Sequence, residues 1–392
     1  LVFNDEKQTA SISTTLLAQM VLCALTVVSL LYLPIPILEL LAQKYGVTSA
    51  DMSISSFGFA YAIGFLIFGA LSDRVGRKMV IACGLSALTL VTLLIIWAKS
   101  WEVFITLRIL QGFCAATFPT VALVYLSERG TPNQRIWGMA WITTALLAAG
   151  IFGQVYALQI VVPFGLTPAF LGFAAIYATT ALRFAFIKNE IPSLNNKSWL
   201  DTYRPILYLH QNLALRRTYL SAVLLLFSFI AFYLALDFYL GDILQEQGIN
   251  KLQMRLFALP AFILALFASK IIAWLSSPHK AIILGFSVAA SGLALAAIST
   301  NFGYQLVLVC SLIFVSGIAL GMTSLNVRNA SVSASEVRGI AVSTGAFMLF
   351  VGTSCAPFFV RALNSFSLTF VLSVLSCLLF AAVIYNLSYK DD

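Results

Sequence analysis

Charge is scarce in this chain. Asp, Glu, Lys and Arg make up 10% of its 392 residues and 60% are hydrophobic, whereas about a quarter of a soluble domain is charged. The mean hydropathy of +0.95 excludes an ordinary soluble globular domain. Histidine occurs twice; His210 and His279 fall in loops between apolar runs, where solvated positions are expected. The six cysteines, Cys23, Cys83, Cys114, Cys310, Cys355 and Cys377, lie inside apolar runs without metal-ligand spacing. They read as small core residues, with neither a zinc site nor a disulfide framework expected. No P-loop occurs, which argues against an ATP-driven pump. Neither a cofactor nor an enzymatic activity is expected.

What the chain does have is long apolar blocks. Met79 to Ala98 carries no charge, nor does Ala281 to Val327. About 20 apolar residues cross the hydrocarbon core of a bilayer as a helix, so the chain reads as an integral membrane protein. The expected spans are 15–41, 53–71, 79–98, 102–127, 136–161, 166–187, 218–241, 252–275, 280–299, 303–327, 339–361 and 366–388. The polar stretch 188–217 divides them six and six, and its "SWLDTYRPILYLHQN" portion (198–212) has the make-up of a surface helix. The domains expected are a first bundle over 1–187, a central linker over 188–217 and a second bundle over 218–392.

The net charge of +8 is dispersed among short loops, which is an orientation signal and not a nucleic-acid footprint. Of the 23 Lys and Arg residues, only Lys44, Lys99, Lys251, Arg255 and Arg361 fall on one side. Arg108, Arg183 and Lys270 lie within or at the edge of spans, and the rest share the other side with both termini. The richer side is expected to be cytoplasmic, in an inner membrane, with the linker on that side. A faint internal repeat supports the division: a shift of about 203 positions places Arg135 on Arg338, and "AGIFGQ" (149–154) on "GTSCAP" (352–357). Paired halves of this kind are a transporter design.

One polar turn stands out between the second and third spans: "GALSDRVGRK" at 69–78. It resembles the G-x-L-[SA]-D-R-x-G-R-[RK] signature of the major facilitator superfamily, matching at Gly69, Leu71, Asp73, Arg74, Gly76, Arg77 and Lys78. "LYLPIPILELLAQKYGVTSADM" (31–52) is similar to the first-span segment of that family's twelve-helix drug:proton antiporter group, including Pro34 and Pro36. "LRILQGFCAA" (107–116) is similar to the group's fourth-span R-x-x-Q-G motif at Arg108, Gln111 and Gly112. The fifth span departs from the pattern: "AGIFGQVYAL" keeps Gly153 but carries Gln154 where the antiporters have proline. The resemblance implies an all-α integral membrane fold, with twelve transmembrane helices in two pseudo-symmetric six-helix bundles, working by alternating access.

The resemblance also implies roles. Asp73 would face the start of the eleventh helix, where a macrodipole stabilises a carboxylate, and Arg74 or Arg77 would pair with Glu128; together these would form a cytoplasmic latch. The plainer reading of Arg74, Arg77 and Lys78 is a positive-inside anchor, and of Gly69 and Gly76 a tight turn. Arg108 lies about 10 Å inside the fourth span at 1.5 Å per residue, deep enough to need a cavity or a partner. It is a candidate for binding an anionic substrate or for acting on a proton-carrying acid, with Gln111 beside it. The alternative is an arginine that snorkels to the interface. Acids within spans are few: Glu39 and Asp237 sit near the outer ends of the first and seventh spans. A partly buried carboxylate exchanges a proton for an approaching cation, so both are proton-coupling candidates, each against the alternative of an interfacial acid in water. Tyr32 and Tyr233, with a hydroxyl in reach of Glu39 or Asp237, are substrate-contact candidates.

The expected function is proton-coupled export of a small amphipathic molecule, a drug-like compound or a secreted metabolite such as a siderophore. Import of a nutrient or an iron chelate is the alternative, favoured by Gln154 and by Arg108 as an anion contact. A non-transporting receptor on the same fold is a third reading. Protons, a small-molecule substrate and the lipid bilayer are the expected partners of a monomer, with no nucleic acid and no metal.

Overall fold

The computed structural model describes residues 12–129, 132–187, 211–249, 251–257, 259–333 and 338–389. Among them the chain is helical without strands, mostly α with short 3-10 and π segments. Ten of these helices are long and apolar enough to cross a membrane, or eleven when Trp137–Leu146 and Ala148–Phe164, bent by 49° to one another, are counted as one span. The chain is a multi-pass membrane protein. Several spans start on a side chain that accepts from a free backbone N–H of the first turn. Ser13, Ser100, Asn212 and Ser367 do this for the helices beginning at Thr14, Trp101, Leu213 and Leu368. Ser277 caps Pro278–Ser299 in the same way.

Three boundaries differ from the sequence expectation, each for a backbone reason. The first span, expected unbroken over 15–41, stops as Thr14–Tyr32 and resumes as Leu38–Tyr45 after a 3-10 turn at Ile35–Ile37. Pro34 and Pro36 withhold the N–H groups that an unbroken helix needs. The eighth, expected over 252–275, is divided into Lys251–Leu256, a 3-10 turn at Leu259–Phe262, and Ile263–Leu275; Pro260 disfavours helical backbone before it. The seventh begins at Leu213, not at 218, because Asn212 caps it. Arg216 and Arg217, expected in the linker, therefore belong to the helix. The linker residues 188–210, including His210 and most of 198–212, lie outside the described residues.

The remaining spans are Met52–Val75 (second), Arg77–Ile96 (third), Trp101–Ala115 with Pro119–Arg129 (fourth), Pro132–Tyr156 continuing to Phe164 (fifth) and Leu166–Phe186 (sixth). The seventh runs over Leu213–Glu246, and Pro278–Ser299, Tyr304–Val332, Arg338–Ala362 and Leu368–Leu387 are the ninth to twelfth. In hydrocarbon the hydrophobic effect does not drive helices together, so close packing of small residues takes its place. A Cβ on Gly112 would lie 2.2 Å from the Phe57 carbonyl oxygen, so the second and fourth spans touch backbone to backbone.

The first six and last six spans meet chiefly along the second and eleventh. Ser55 Oγ donates to the Ser354 carbonyl at 2.8 Å. One turn on, Tyr61 packs edge-on against Phe350 at 4.5 Å, and Phe65 stacks on the same ring at 5.3 Å. Still further along, a Cβ on Gly69 would meet Ser343 Oγ at 2.5 Å. The first and seventh spans also touch through Tyr32 and Phe229, 6.1 Å apart.

The Gly112 contact is against backbone, which cannot rotate away. Gly112→Ala should lower stability by about 1–3 kcal/mol, the usual range for overpacking. A fall in the Tm of the detergent-purified protein would register it, while Leu90→Ala on the exposed face should leave Tm within a degree or two.

Candidate functional site

The broken helices converge at the end of the bundle opposite the 69–78 turn. There a cavity of about 380 Å³ opens between the two halves. One wall is Pro36, Glu39 and Ala42 after the break in the first span, with Ser49 and Asp51 from the loop that follows. The other is Leu234, Asp237 and Phe238 of the seventh span, with Pro357, Arg361 and Asn364 of the eleventh. Ser49 Oγ donates to Asp51 Oδ2 at 2.6 Å, fixing that carboxylate at the start of the second span. The wall is thus mainly apolar, with a few carboxylates and one guanidinium, the make-up of a small-molecule pocket.

Glu39 and Asp237, taken from opposite halves, are brought to this one cavity. They are held differently. Glu39 is exposed on its wall. Asp237, 13% exposed, is paired with Arg255, whose side chain is completely buried. The Arg255 guanidinium also lies over the Tyr233 ring, 5.0 Å from its centre. Tyr233 and Asp237 are one turn apart on the seventh span, so ring and carboxylate present one face to the cation. The pair is buried, and removing either partner would strand a charge. Arg255 Nε and Nη1 are buried as well, with no hydrogen-bond acceptor among the described residues.

Arg255 was not a site candidate in the sequence, where it reads as one of the few basic loop residues on its side. Its importance comes from the turn between the seventh and eighth spans, which folds a base back onto an acid 18 positions earlier. A base shortly after an in-span acid is the signal that could have found it, and Lys251 shares that signal.

Arg108, Gln111 and Tyr32 do not line this cavity. Arg108 is buried but does not snorkel: Nε donates to the Ser53 carbonyl at 3.0 Å, Nη2 to the Leu30 carbonyl at 3.0 Å, and Nη1 to Gln111 Oε1 at 2.6 Å. Gln111 Nε2 in turn donates to Thr92 Oγ1 at 2.9 Å, and the guanidinium faces the Phe57 ring at 4.4 Å. Four spans are tied at one cation. Three of its donors go to protein oxygens, and the side chain is buried away from the cavity. Tyr32 is buried against Phe229. The Tyr233 hydroxyl, beneath Arg255, has no hydrogen-bond partner among the described residues.

At the other end, Gly76 takes φ +96° between the second and third helices, a conformation that favours glycine. Arg77 Nη1 donates to Ser72 Oγ at 3.1 Å and Lys78 Nζ to the Ile187 carbonyl. Arg74 is half-buried near the end of the second span. The side chains of Asp73 and Glu128 lie outside the described residues. Gln154 is buried and its Nε2 donates to the Gly150 carbonyl of its own helix at 2.7 Å, while its Oε1 is buried without a hydrogen-bond donor among the described residues. His279, expected at a solvated surface, is instead 4% exposed. It sits in the first turn of the ninth span, with Nε2 3.1 Å from the Asn386 carbonyl at the end of the twelfth.

A polytopic helical bundle with a cavity between its halves and helix breaks at that cavity has the architecture of a membrane carrier. The chain belongs to the Major Facilitator Superfamily, whose family model matches residues 20–357. It is 36% identical over 129 residues to the inner membrane transport protein YnfM of Escherichia coli, a match covering 32% of this chain and 31% of that one. It is 30% identical over 162 residues to the chloramphenicol resistance protein CraA of Acinetobacter baumannii, covering 40% and 38%. The matched segment thus spans about a third of these relatives' length. The fold agrees with the human organic anion transporter MFSD10 (TETRAN), at a TM-score of 0.72 and 16% identity, over 95% of this chain and 98% of that one.

Arg108 carries three charge-assisted hydrogen bonds, each typically worth about 1.5–3 kcal/mol. Arg108→Ala should therefore cost at least about 3 kcal/mol of stability, visible as a large fall in Tm, with Gln111→Ala costing about 1 kcal/mol. An unchanged Tm in Arg108→Ala would remove the tie from the structural account.

Proposed function

We propose that the protein is a secondary transporter that exports a small amphipathic molecule in exchange for protons by alternating access. The observation that carries this reading is the meeting of Glu39 and Asp237, one from each half, on the wall of one cavity. A carboxylate that faces water on one side of the membrane accepts a proton there, and an amphipathic cation competes for the same charge. Because the two acids belong to opposite halves, their occupancy bears on how the halves meet. The basic end with the 69–78 turn faces the cytoplasm in this reading, by the positive-inside rule, so the cavity opens outward. The turn acts as the inner latch, with Gly69 against Ser343 as its close contact. The names of CraA and of the multidrug resistance protein MdtG of Salmonella arizonae, 25% identical over 176 residues, support export of drug-like compounds. Import has lost one of its supports, since Arg108 is spent on protein carbonyls.

Inverted vesicles containing the purified protein test direction and coupling together. An acidic lumen should drive accumulation of chloramphenicol or of a lipophilic cationic dye such as ethidium. Asp237→Asn should reduce that gradient-driven rate at least tenfold, and Glu39→Gln by a smaller factor. Release of preloaded compound along with the protons would establish symport and overturn export. An unchanged pH dependence in both variants would remove these acids from coupling.

A further inference from the structure

The buried arginine behind the cavity is placed to do more than balance a charge. Arg255 belongs to Lys251–Leu256, a short helix cut off from the rest of the eighth span by the Leu259–Phe262 turn. The short helix packs against the seventh span of its own half and also against the fifth span of the other half. Its position therefore bears on the interface between the halves. What fixes it electrostatically is Arg255 on Asp237, and Asp237 is also a cavity residue.

We propose that Arg255 is the internal counter-cation of Asp237 and the bolt of an outer gate. It holds Lys251–Leu256 against the seventh span until a positive charge in the cavity takes its place on the carboxylate. This rests on the reading of Asp237 as the coupling group and identifies the residue through which its occupancy is transmitted.

The contrast with Arg108 supports the assignment. Arg108 engages three nitrogens with acceptors from three segments, so no single event frees it. Arg255 has one carboxylate and one ring face, and its Nε and Nη1 are without acceptors among the described residues. A buried guanidinium held at one point loses its ion pair when that point is neutralised. Its unmet donors then favour a shift toward water. The exchange is electroneutral at Asp237: one cation arrives as another leaves. Arg255 touches no substrate in this scheme, and its role is positional.

Tetraphenylphosphonium binding to the purified protein, measured together with the distance between spin labels at Leu256 and Val162, both exposed, tests the gate. Arg255→Gln removes the internal competitor and should bind the cation at least tenfold more tightly, with a longer label distance even without ligand. Arg255→Lys should restore the affinity and distance of the unsubstituted protein, which a packing role alone would not do. Asp237→Asn should abolish binding. Should Arg255→Gln fail to fold, Asp237→Asn with Arg255→Gln strands no buried charge and should still show the longer distance. Equal affinity and equal distance in Arg255→Gln and the unsubstituted protein would overturn the gate; so would a double variant with the unsubstituted distance. Failure of the coupling reading is separable: vesicle transport would then keep the unsubstituted pH dependence in Asp237→Asn while the Arg255→Gln shifts in affinity and distance persist.

Discussion

In a bilayer core no water is available to satisfy a polar group, so every buried charge must be answered from within the protein. This constraint organises the molecule more than hydrophobicity does, because apolar side chains gain little by leaving lipid for protein. Its effect is seen wherever a charge sits inside the bundle. Arg108 gathers carbonyls from the first and second spans, which would otherwise stay bonded only within their own helices, and so fixes how those helices sit against the fourth. Asp237 and Arg255 answer one another across the turn between the seventh and eighth spans.

The same constraint explains where the helices break. A break frees backbone groups, which is tolerable only where the chain lines a cavity or is buried in protein. The interruptions at Pro34–Ile37 and at Leu259–Phe262 both lie toward the end that holds the cavity. Ile35 and Pro36 form part of its wall, and Pro357 within the eleventh span forms another part. Toward the opposite end the second and eleventh spans close up through Phe65, Phe350, Gly69 and Ser343. Aromatic stacking and glycine contact on one side, broken helices and carboxylates on the other, give the bundle one tight end and one open end.

Most of this architecture was legible in the sequence because its causes are local. Span number follows from apolar length, and the 69–78 turn marks itself by its charges and by Gly76, whose backbone conformation needs glycine. The cavity acids Glu39 and Asp237 were legible because an acid in an apolar run is rare. What could not be read depends on tertiary contact. Hydropathy is blind to the missing N–H of Pro34 and Pro260, so it merged segments that the backbone separates. The surroundings of His279 depend on the end of the twelfth span, more than a hundred residues away. Arg108 reads in the sequence as needing a partner; Gln111 three residues on is one, but the other two are main-chain carbonyls, which no side-chain pattern reveals.

Two buried arginines in one bundle thus illustrate two uses of the same chemistry. A guanidinium offers five donors in a rigid fork, and the number of donors engaged sets how readily it is released. At Arg108 three nitrogens are engaged by two main-chain carbonyls and an amide oxygen, none of which titrates, so a change in pH leaves the tie intact. At Arg255 the hydrogen-bonding partner among the described residues is a titratable carboxylate that also faces the cavity, and in the proposed gate the contact therefore depends on what the cavity holds. A carrier needs both kinds of contact: one to keep each half rigid while it moves, and one whose strength changes with occupancy. Placing the first among four spans of one half, and the second on a short detached helix at the interface, separates those two demands in space.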